Sequence, residues 1–409
     1  MNITNTRESR YGLYLVKEQF NQVVSIGPTL YPTVTIVPER NSEVTAGSDA
    51  SNTHHSSVHQ AVDRYLNKKL EAGGSRATMQ SPLTAFATYC ENQGIERVDE
   101  LTTDDLRDYG LELRSASIDG DIAGSTANTY FRYIRAFLSF CVRDGKLDTN
   151  PADTEAAEEF LPEDTPTRDT QFWEPDQRKR LLEYADERVR MARDETIDTP
   201  LERAYRDRTI VVLLAELGLR GAELFRDPND DARDGLQWGD VDLANGRLEV
   251  FGKSREYETV GLTRDAQDAL ERLQRVQDPP TDEWPLFPTD HAASKYDAVE
   301  TATGERPPTG TDIDAVCREQ RIAPSSITKE AGRQILKQLT AEAGIELTGD
   351  ADYLQPHGAR RALGAELYKQ GHSELAQSAL RHSSIETTHE AYSDIKAEDI
   401  AKSIDEVRE

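Results

Sequence analysis

Apolar residues recur every three to four positions along most of the chain from residue 58 onward, the period of amphipathic helices. In VHQAVDRYLNKKLEAG this spacing places Val58, Ala61, Val62, Tyr65, Leu66 and Leu70 on one face. TMQSPLTAFATYCENQG repeats the pattern and ends at Gly94, and LTTDDLRDYGLELR opens on a Thr-x-x-Asp capping signature. STANTYFRYIRAFLSFCVRDGKLDTNPA predicts a longer helix, stopped by Gly145 and Pro151. The stretch that follows, PADTEAAEEFLPEDTPTRDTQFW, is acidic and proline-bearing with no sustained period. It has the composition of a linker, and 154–173 are assigned to one.

A second helical region begins at about residue 174 with EPDQRKRLLEYADERVRMA and LERAYRDRTIVVLLAELG. The period then changes: LQWGDVDL, GRLEVFG and YETVGL predict three short antiparallel strands, joined by Asn245-Gly246 and by a turn holding Lys253. TRDAQDALERLQRV and ITKEAGRQILKQLTAEAG return to the helical period, whereas 281–325 read as loop-rich. The expected fold is mainly α with a small antiparallel β-sheet (α+β) in a C-terminal domain of 174–409. A smaller helical domain of 57–153 precedes it. Residues 1–56 contain a candidate strand, TLYPTVTIVPE, and a polar linker-like run in which His54 and His55 are solvated; no function is assigned to them.

The chain has 409 residues, more than one core usually accommodates, which agrees with two domains. No apolar run is long enough to span a membrane and no basic segment leads into an apolar one, so the expected location is the cytoplasm. Cys90, Cys141 and Cys317 lie far apart without metal-ligand spacing, as buried free thiols do; neither a metal nor a cofactor is expected. The net charge of −27 is the opposite of the usual nucleic-acid footprint. The acidic residues are interspersed and lysine is scarce beside arginine, as in proteins of salt-accumulating halophiles. In molar salt the screening length falls to about 3 Å, which removes long-range repulsion.

Against this acidic background one ordered set of residues stands out. Cleavage of a phosphodiester gathers negative charge on the non-bridging oxygens, which guanidinium forks match bidentately. Arg220 lies in LGLRGAEL where an apolar helix ends, and Glu223 can reach back to fix it. Alone, that pair reads equally as a surface ion pair of little worth. His357 and Arg360 in YLQPHGARRALGAELYKQG share a helical face, and a helix starting just after Pro356 aims its first turn at an anion. Lys253 occupies a hairpin turn, and a lysine there can serve as a proton donor. LRHSSIETTHEAYSDI adds His382 and Tyr392. A phenol titrates near about 10, so attack at neutral pH requires a base or strong anion stabilisation.

In order, spacing and local pattern these segments resemble the tyrosine recombinase (phage integrase) family, from about Val58 to the C-terminus. The resemblance implies a two-domain protein that clasps double-stranded DNA, with a core-binding domain at 57–153 and a catalytic domain at 174–409. It further implies site-specific recombination for integration, excision or replicon dimer resolution. Tyr392 would be the nucleophile, forming a 3′-phosphotyrosyl link, with Arg220 and Arg360 on the phosphate and Glu223 supporting Arg220. His357 would do general acid–base work, Lys253 would protonate the leaving oxygen and His382 would donate a hydrogen bond. A homotetramer on synapsed sites is implied, with a monomer or dimer when free and no membrane partner. The tail SDIKAEDIAKSIDEVRE would dock on a neighbouring protomer or pack on its own domain. Two departures are visible: Arg381 stands where the family usually has glycine, and Tyr392 follows His382 at a spacing of ten positions, one more than is common. They leave open a catalytically silent DNA-binding member. An acidic helical interaction protein with accidental matches is the rival from another class.

Overall fold

The computed structural model describes residues 56–68, 73–163, 171–347, 349, 351–382 and 384–392. The candidate N-terminal strand, Leu70 and the C-terminal tail lie outside the described residues. The chain divides into two compact units, one ending at Thr167 and the other beginning at Arg168.

The first unit is built on four helices, α1 (Val58–Lys68), α2 (Gly73–Asn92), α3 (Thr103–Ile118) and α4 (Gly124–Arg143). Each apolar stripe turns inward, so that Val62, Leu66, Phe86, Leu106, Phe131, Ile134 and Phe137 form one core. Burying side chains of this size contributes about 1.5–3 kcal/mol apiece. Thr102 caps α3 as its sequence requires: its hydroxyl accepts from the Asp105 amide, while the Asp105 carboxylate accepts from the Thr102 amide at 2.8 Å. Residues 154–163, read as linker from composition, instead close this unit. Thr154 caps the one-turn helix α5 (Glu155–Glu158), Ala157 is buried and Leu161 packs on the core.

The second unit is organised around α7 (Leu201–Leu217), which is buried on nearly every side. Its second half is apolar on nearly every face, as befits a core helix, and α6 (Pro175–Arg193) and α9 (Arg264–Gln277) pack on it. A three-stranded antiparallel sheet, β1 (Val241–Asp242), β2 (Arg247–Phe251) and β3 (Tyr257–Gly261), lies between α7 and α9 in sequence. The first strand is shorter than LQWGDVDL predicts. The Asp240 carboxylate accepts from the Gln237 amide at 2.8 Å and winds Trp238–Asp240 into a 3₁₀ turn.

Two helices, α10 (Ala292–Thr303) and α11 (Ile313–Glu319), occupy part of the region read as loop-rich. Each buries only two side chains, Lys295 and Val299 or Ile313 and Cys317, too few to leave a periodic signal. Then follow α12 (Lys329–Glu342), α13 (Pro356–Lys369), α14 (Ser373–Leu380) and α15 (Ile385–Ala391). The fold is thus mainly α with a small antiparallel sheet. All three cysteines are buried and free. Among the described residues no helix is long and apolar enough to cross a membrane, and no group of side chains has the makings of a metal site.

Candidate active site

The site is assembled where three helix ends meet. Helix α7 stops at Gly218, whose left-handed φ of 56° turns the chain. Arg220 then becomes the N-cap of the one-turn helix α8 (Gly221–Leu224). The Glu223 carboxylate is almost wholly buried and accepts from the Arg220 amide at 2.8 Å and from its guanidinium at 2.6 Å. The sequence allowed a surface ion pair of little consequence at this spacing; the structure makes it an interior clamp.

Arg360, one turn into α13, is 3% exposed. Its two terminal nitrogens donate to backbone carbonyls, one to Gly218 at 2.9 Å and the other to Leu380. One guanidinium therefore joins the end of α7 to the end of α14. Gly218 suits this corner, since its φ of 56° is left-handed and a Cβ there would press on Leu363 Cδ2 at 3.1 Å. Burial, then the like charges of Arg220 and Arg381, lower the Arg360 pKa to about 10.

His357 lies in the first turn of α13, behind Pro356. Partial loss of hydration, then Arg361, Arg360 and Arg220, hold its imidazole below the ordinary histidine value. Burial, then Arg360, Arg220 and Arg381, hold His382 likewise below the ordinary histidine value. Its Nδ1 pairs with the hydroxyl of buried Thr388 at 2.9 Å. Burial and the neighbouring guanidinia together depress both imidazoles and Arg360, so positive charge is concentrated around them. In a chain of net charge −27 this concentration of positive groups marks a site for a negatively charged ligand.

Tyr392 is at the C-cap of α15, with φ −127° and ψ 18°, outside helical conformation. Its ring is 3% exposed and packs with Ala365, Leu380, Phe172 and Tyr368. Burial raises the phenol above its ordinary value, against the pull of Arg360 and Arg361. Gly364 makes room for it. A methyl at that position would lie 2.6 Å from Tyr392 Cζ and 2.5 Å from Leu380 Cδ1. Gly364→Ala is therefore expected to keep α13, because alanine is the better helix former by about 1 kcal/mol, while expelling the Tyr392 ring. Nitration with tetranitromethane and peptide mapping would show Tyr392 modified in the variant and protected in the wild type. Equal protection in both proteins would refute this packing.

Lys253 is exposed in the β2–β3 turn and has no hydrogen-bond or ion-pair partner among the described residues. The base of its hairpin is nevertheless fixed to the Arg220 segment. Arg233 donates to the carbonyls of Ala222 and Phe251, each at 3.0 Å, and of Gly252 at 2.8 Å. The structure thus joins Arg220, Glu223, His357, Arg360 and His382 in one cluster, seats Tyr392 beside it and leaves the Lys253 side chain in solvent.

Some supporting residues escaped the sequence reading. Gln171 and Trp173, assigned to the linker, brace the start of α13. Gln171 exchanges hydrogen bonds with Tyr353 and Gln355 at 2.8 and 2.7 Å, and the Trp173 indole donates to the Gln355 carbonyl at 2.8 Å. The signal available was the aromatic pair Phe172-Trp173 at the end of a polar run. Glu258 and Thr388 carried none. Gly364 carried a weak one, an unfavoured residue inside a strong helical pattern.

Residues 171–399 match the model of the phage integrase family. Over 221 residues the chain is 29% identical to the tyrosine recombinase XerD of Pseudomonas aeruginosa, an alignment covering 53% of this chain and 64% of that relative, less than two thirds of its length. Among solved structures, the XerH site-specific recombinase in a post-cleavage complex with a palindromic difH substrate aligns with TM-score 0.53 at 17% identity, covering 86% of this chain and 85% of that one. The Tn1549 transposon integrase in complex with transposon right-end DNA aligns with TM-score 0.51 at 15% identity, covering 82% and 95%.

Proposed function

Because the chain belongs to the phage integrase family, we propose that it is a site-specific recombinase that cuts and rejoins double-stranded DNA through a 3′-phosphotyrosyl intermediate. The observation that carries this reading is the juxtaposition of the Arg220, Arg360, His357 and His382 cluster with a buried phenol, both resting on α13.

In this reading Arg220 and Arg360 hold the non-bridging oxygens of the scissile phosphate, and His382 donates to one of them. Tyr392 attacks phosphorus, forming a new P–O bond as the bond to the 5′ oxygen breaks. The phenolic proton passes to His357, whose imidazole burial and then the surrounding cations bias toward the neutral, proton-accepting form. Lys253, whose hairpin would close on the DNA, protonates the departing 5′ oxygen. One phosphate ester replaces another, so rejoining is the reverse reaction and requires neither ATP nor a metal.

Residues 57–153 would form the core-binding half of a DNA clasp and 174–409 the catalytic half, with four copies joined on synapsed sites and one or two when free. The protein would act in the cytoplasm, in concentrated salt if its composition is a halophile's. There counterion release adds little to affinity, and binding would rest on direct contacts and shape.

The test is a trapping assay in molar potassium chloride. Nicked duplexes carrying candidate sites from the flanks of the protein's own gene are incubated with the full chain and run on a denaturing gel. A covalent protein–DNA band is expected, and mass spectrometry of the attached peptide should find the nucleotide on Tyr392. Attachment elsewhere would overturn the nucleophile. Tight, site-specific DNA binding with no covalent band would overturn cleavage and favour a silent member of the family.

A further inference from the structure

Arg381 occupies a backbone position that arginine rarely takes. It caps α14 with φ 51° and ψ 48°, in the left-handed region that favours glycine. Among the described residues only four other non-glycine residues have positive φ. The side chain it places there is not in solvent: it is 10% exposed and lies between two carboxylates. Its terminal nitrogen donates to Glu223 at 2.6 Å, on the same oxygen that accepts the Arg220 amide. Its Nε lies 2.9 Å from the Glu258 carboxylate, out of line for a hydrogen bond, so that contact is an ion pair alone. Glu258 belongs to β3, the strand that follows the Lys253 turn, and its other oxygen meets Ser254 of that turn at 3.3 Å.

Three separate segments therefore converge on one guanidinium. They are the Arg220 segment through Glu223, the Lys253 hairpin through Glu258, and the His382 segment through the backbone of Arg381 itself. We propose that Arg381 is a positioning residue for DNA cleavage, an ion-pair tie that holds His382, Arg220 and the Lys253 hairpin in register. Glycine at this position would relax the backbone and remove this tie, leaving the Arg233 and Arg360 bonds to backbone carbonyls between the three segments. One terminal nitrogen and Nε face carboxylates and the other terminal nitrogen lies 3.5 Å from the Ala379 carbonyl, so Arg381 is placed to act through the segments it ties. The proposal rests on the recombinase reading above.

The experiment compares single-turnover cleavage of nicked duplex DNA by wild type, Arg381→Gly, Arg381→Asn, Arg381→Lys and Glu258→Gln. Glycine and asparagine both accept left-handed φ, so both variants should fold and melt within a few degrees of wild type. Their maximal cleavage rate at saturating DNA is expected to fall about 100-fold, the scale of an ångström-sized misplacement, while the DNA concentration for half-saturation stays within about threefold. Glu258→Gln should fall less, in the same direction. Arg381→Lys keeps a charge on Glu223 and should recover part of the rate.

A wild-type rate in either the glycine or the asparagine variant would overturn the proposal. So would a loss confined to DNA affinity, which would make Arg381 an ordinary DNA-binding cation. No recovery with lysine would also overturn it, since packing and not ion pairing would then be responsible. Failure of the recombinase reading itself would show differently, as wild type that forms no covalent complex.

Discussion

Tyr392→Phe is expected to bind DNA as wild type does and to give no covalent protein–DNA complex, a loss of about 10⁴-fold or more in cleavage. The substitution removes one oxygen and leaves the ring, which fills the space among Ala365, Leu380 and Tyr368. Folding stability should therefore change by no more than about 1 kcal/mol, the net worth of a single hydroxyl. The same gel that displays the wild-type adduct checks the result, with band shift under native conditions as the control for binding. Persistence of the adduct would point to Tyr368, whose ring centroid is 5.7 Å from that of Tyr392 and whose hydroxyl meets the His389 ring at 2.7 Å. Tyr368→Phe alone should leave the adduct in place.

Much of the helical architecture was legible because burial and periodicity agree. The inward face read from Val58, Ala61, Val62, Tyr65 and Leu66 is the buried face of α1, and Pro356 starts α13 where it was placed. The grouping of Arg220, Glu223, His357, Arg360 and His382 was also anticipated, though from family resemblance rather than from the residues alone.

What was illegible depended on partners distant in sequence. Trp173 lies in a polar run with no period of its own, and its place is set by a carbonyl 182 positions later. The strand expected over LQWGDVDL gave way to a local alternative, because an Asp240 side chain can satisfy the Gln237 amide before any ladder does. Arg381 was visible as a departure but not as a tie, since its consequence lies in Glu223 and Glu258, on two other segments. Even the added residue before Tyr392 has a local outlet: α15 ends at Ala391, and the tyrosine turns out of the helical path.

The electrostatics of the site converge on Glu223, and Glu223→Gln is expected to be the most damaging change outside the nucleophile. The wild-type carboxylate is the shared partner of Arg220 and Arg381, both of them near Arg360. Glutamine keeps the volume and one acceptor but leaves Arg220 without its carboxylate and Arg381 with Glu258 alone, beside buried Arg360. Removing one partner from a buried pair costs about 3–5 kcal/mol, and the lower end applies here because the Arg220 side chain is 26% exposed.

The loss should depend on pH in a definite way. Burial would raise the Glu223 pKa, but Arg381 and the hydrogen bonds from the Arg220 amide and side chain outweigh it, and the folded value is lowered. A carboxylate with a lowered folded pKa stabilises fully above its unfolded value, near about 4.3, and loses that contribution as pH falls through the folded one. Urea denaturation should therefore show a constant gap between wild type and variant from pH 8 to about pH 5, closing only in stronger acid. A gap that persists unchanged below the lowered pKa would assign the effect to packing. Cleavage should fail at neutral pH in the variant even where it remains folded, because Arg220 loses the clamp that aims it. A phosphate mimic such as vanadate or tungstate should restore more stability to the variant than to wild type, since it supplies negative charge where the Glu223 carboxylate has been removed.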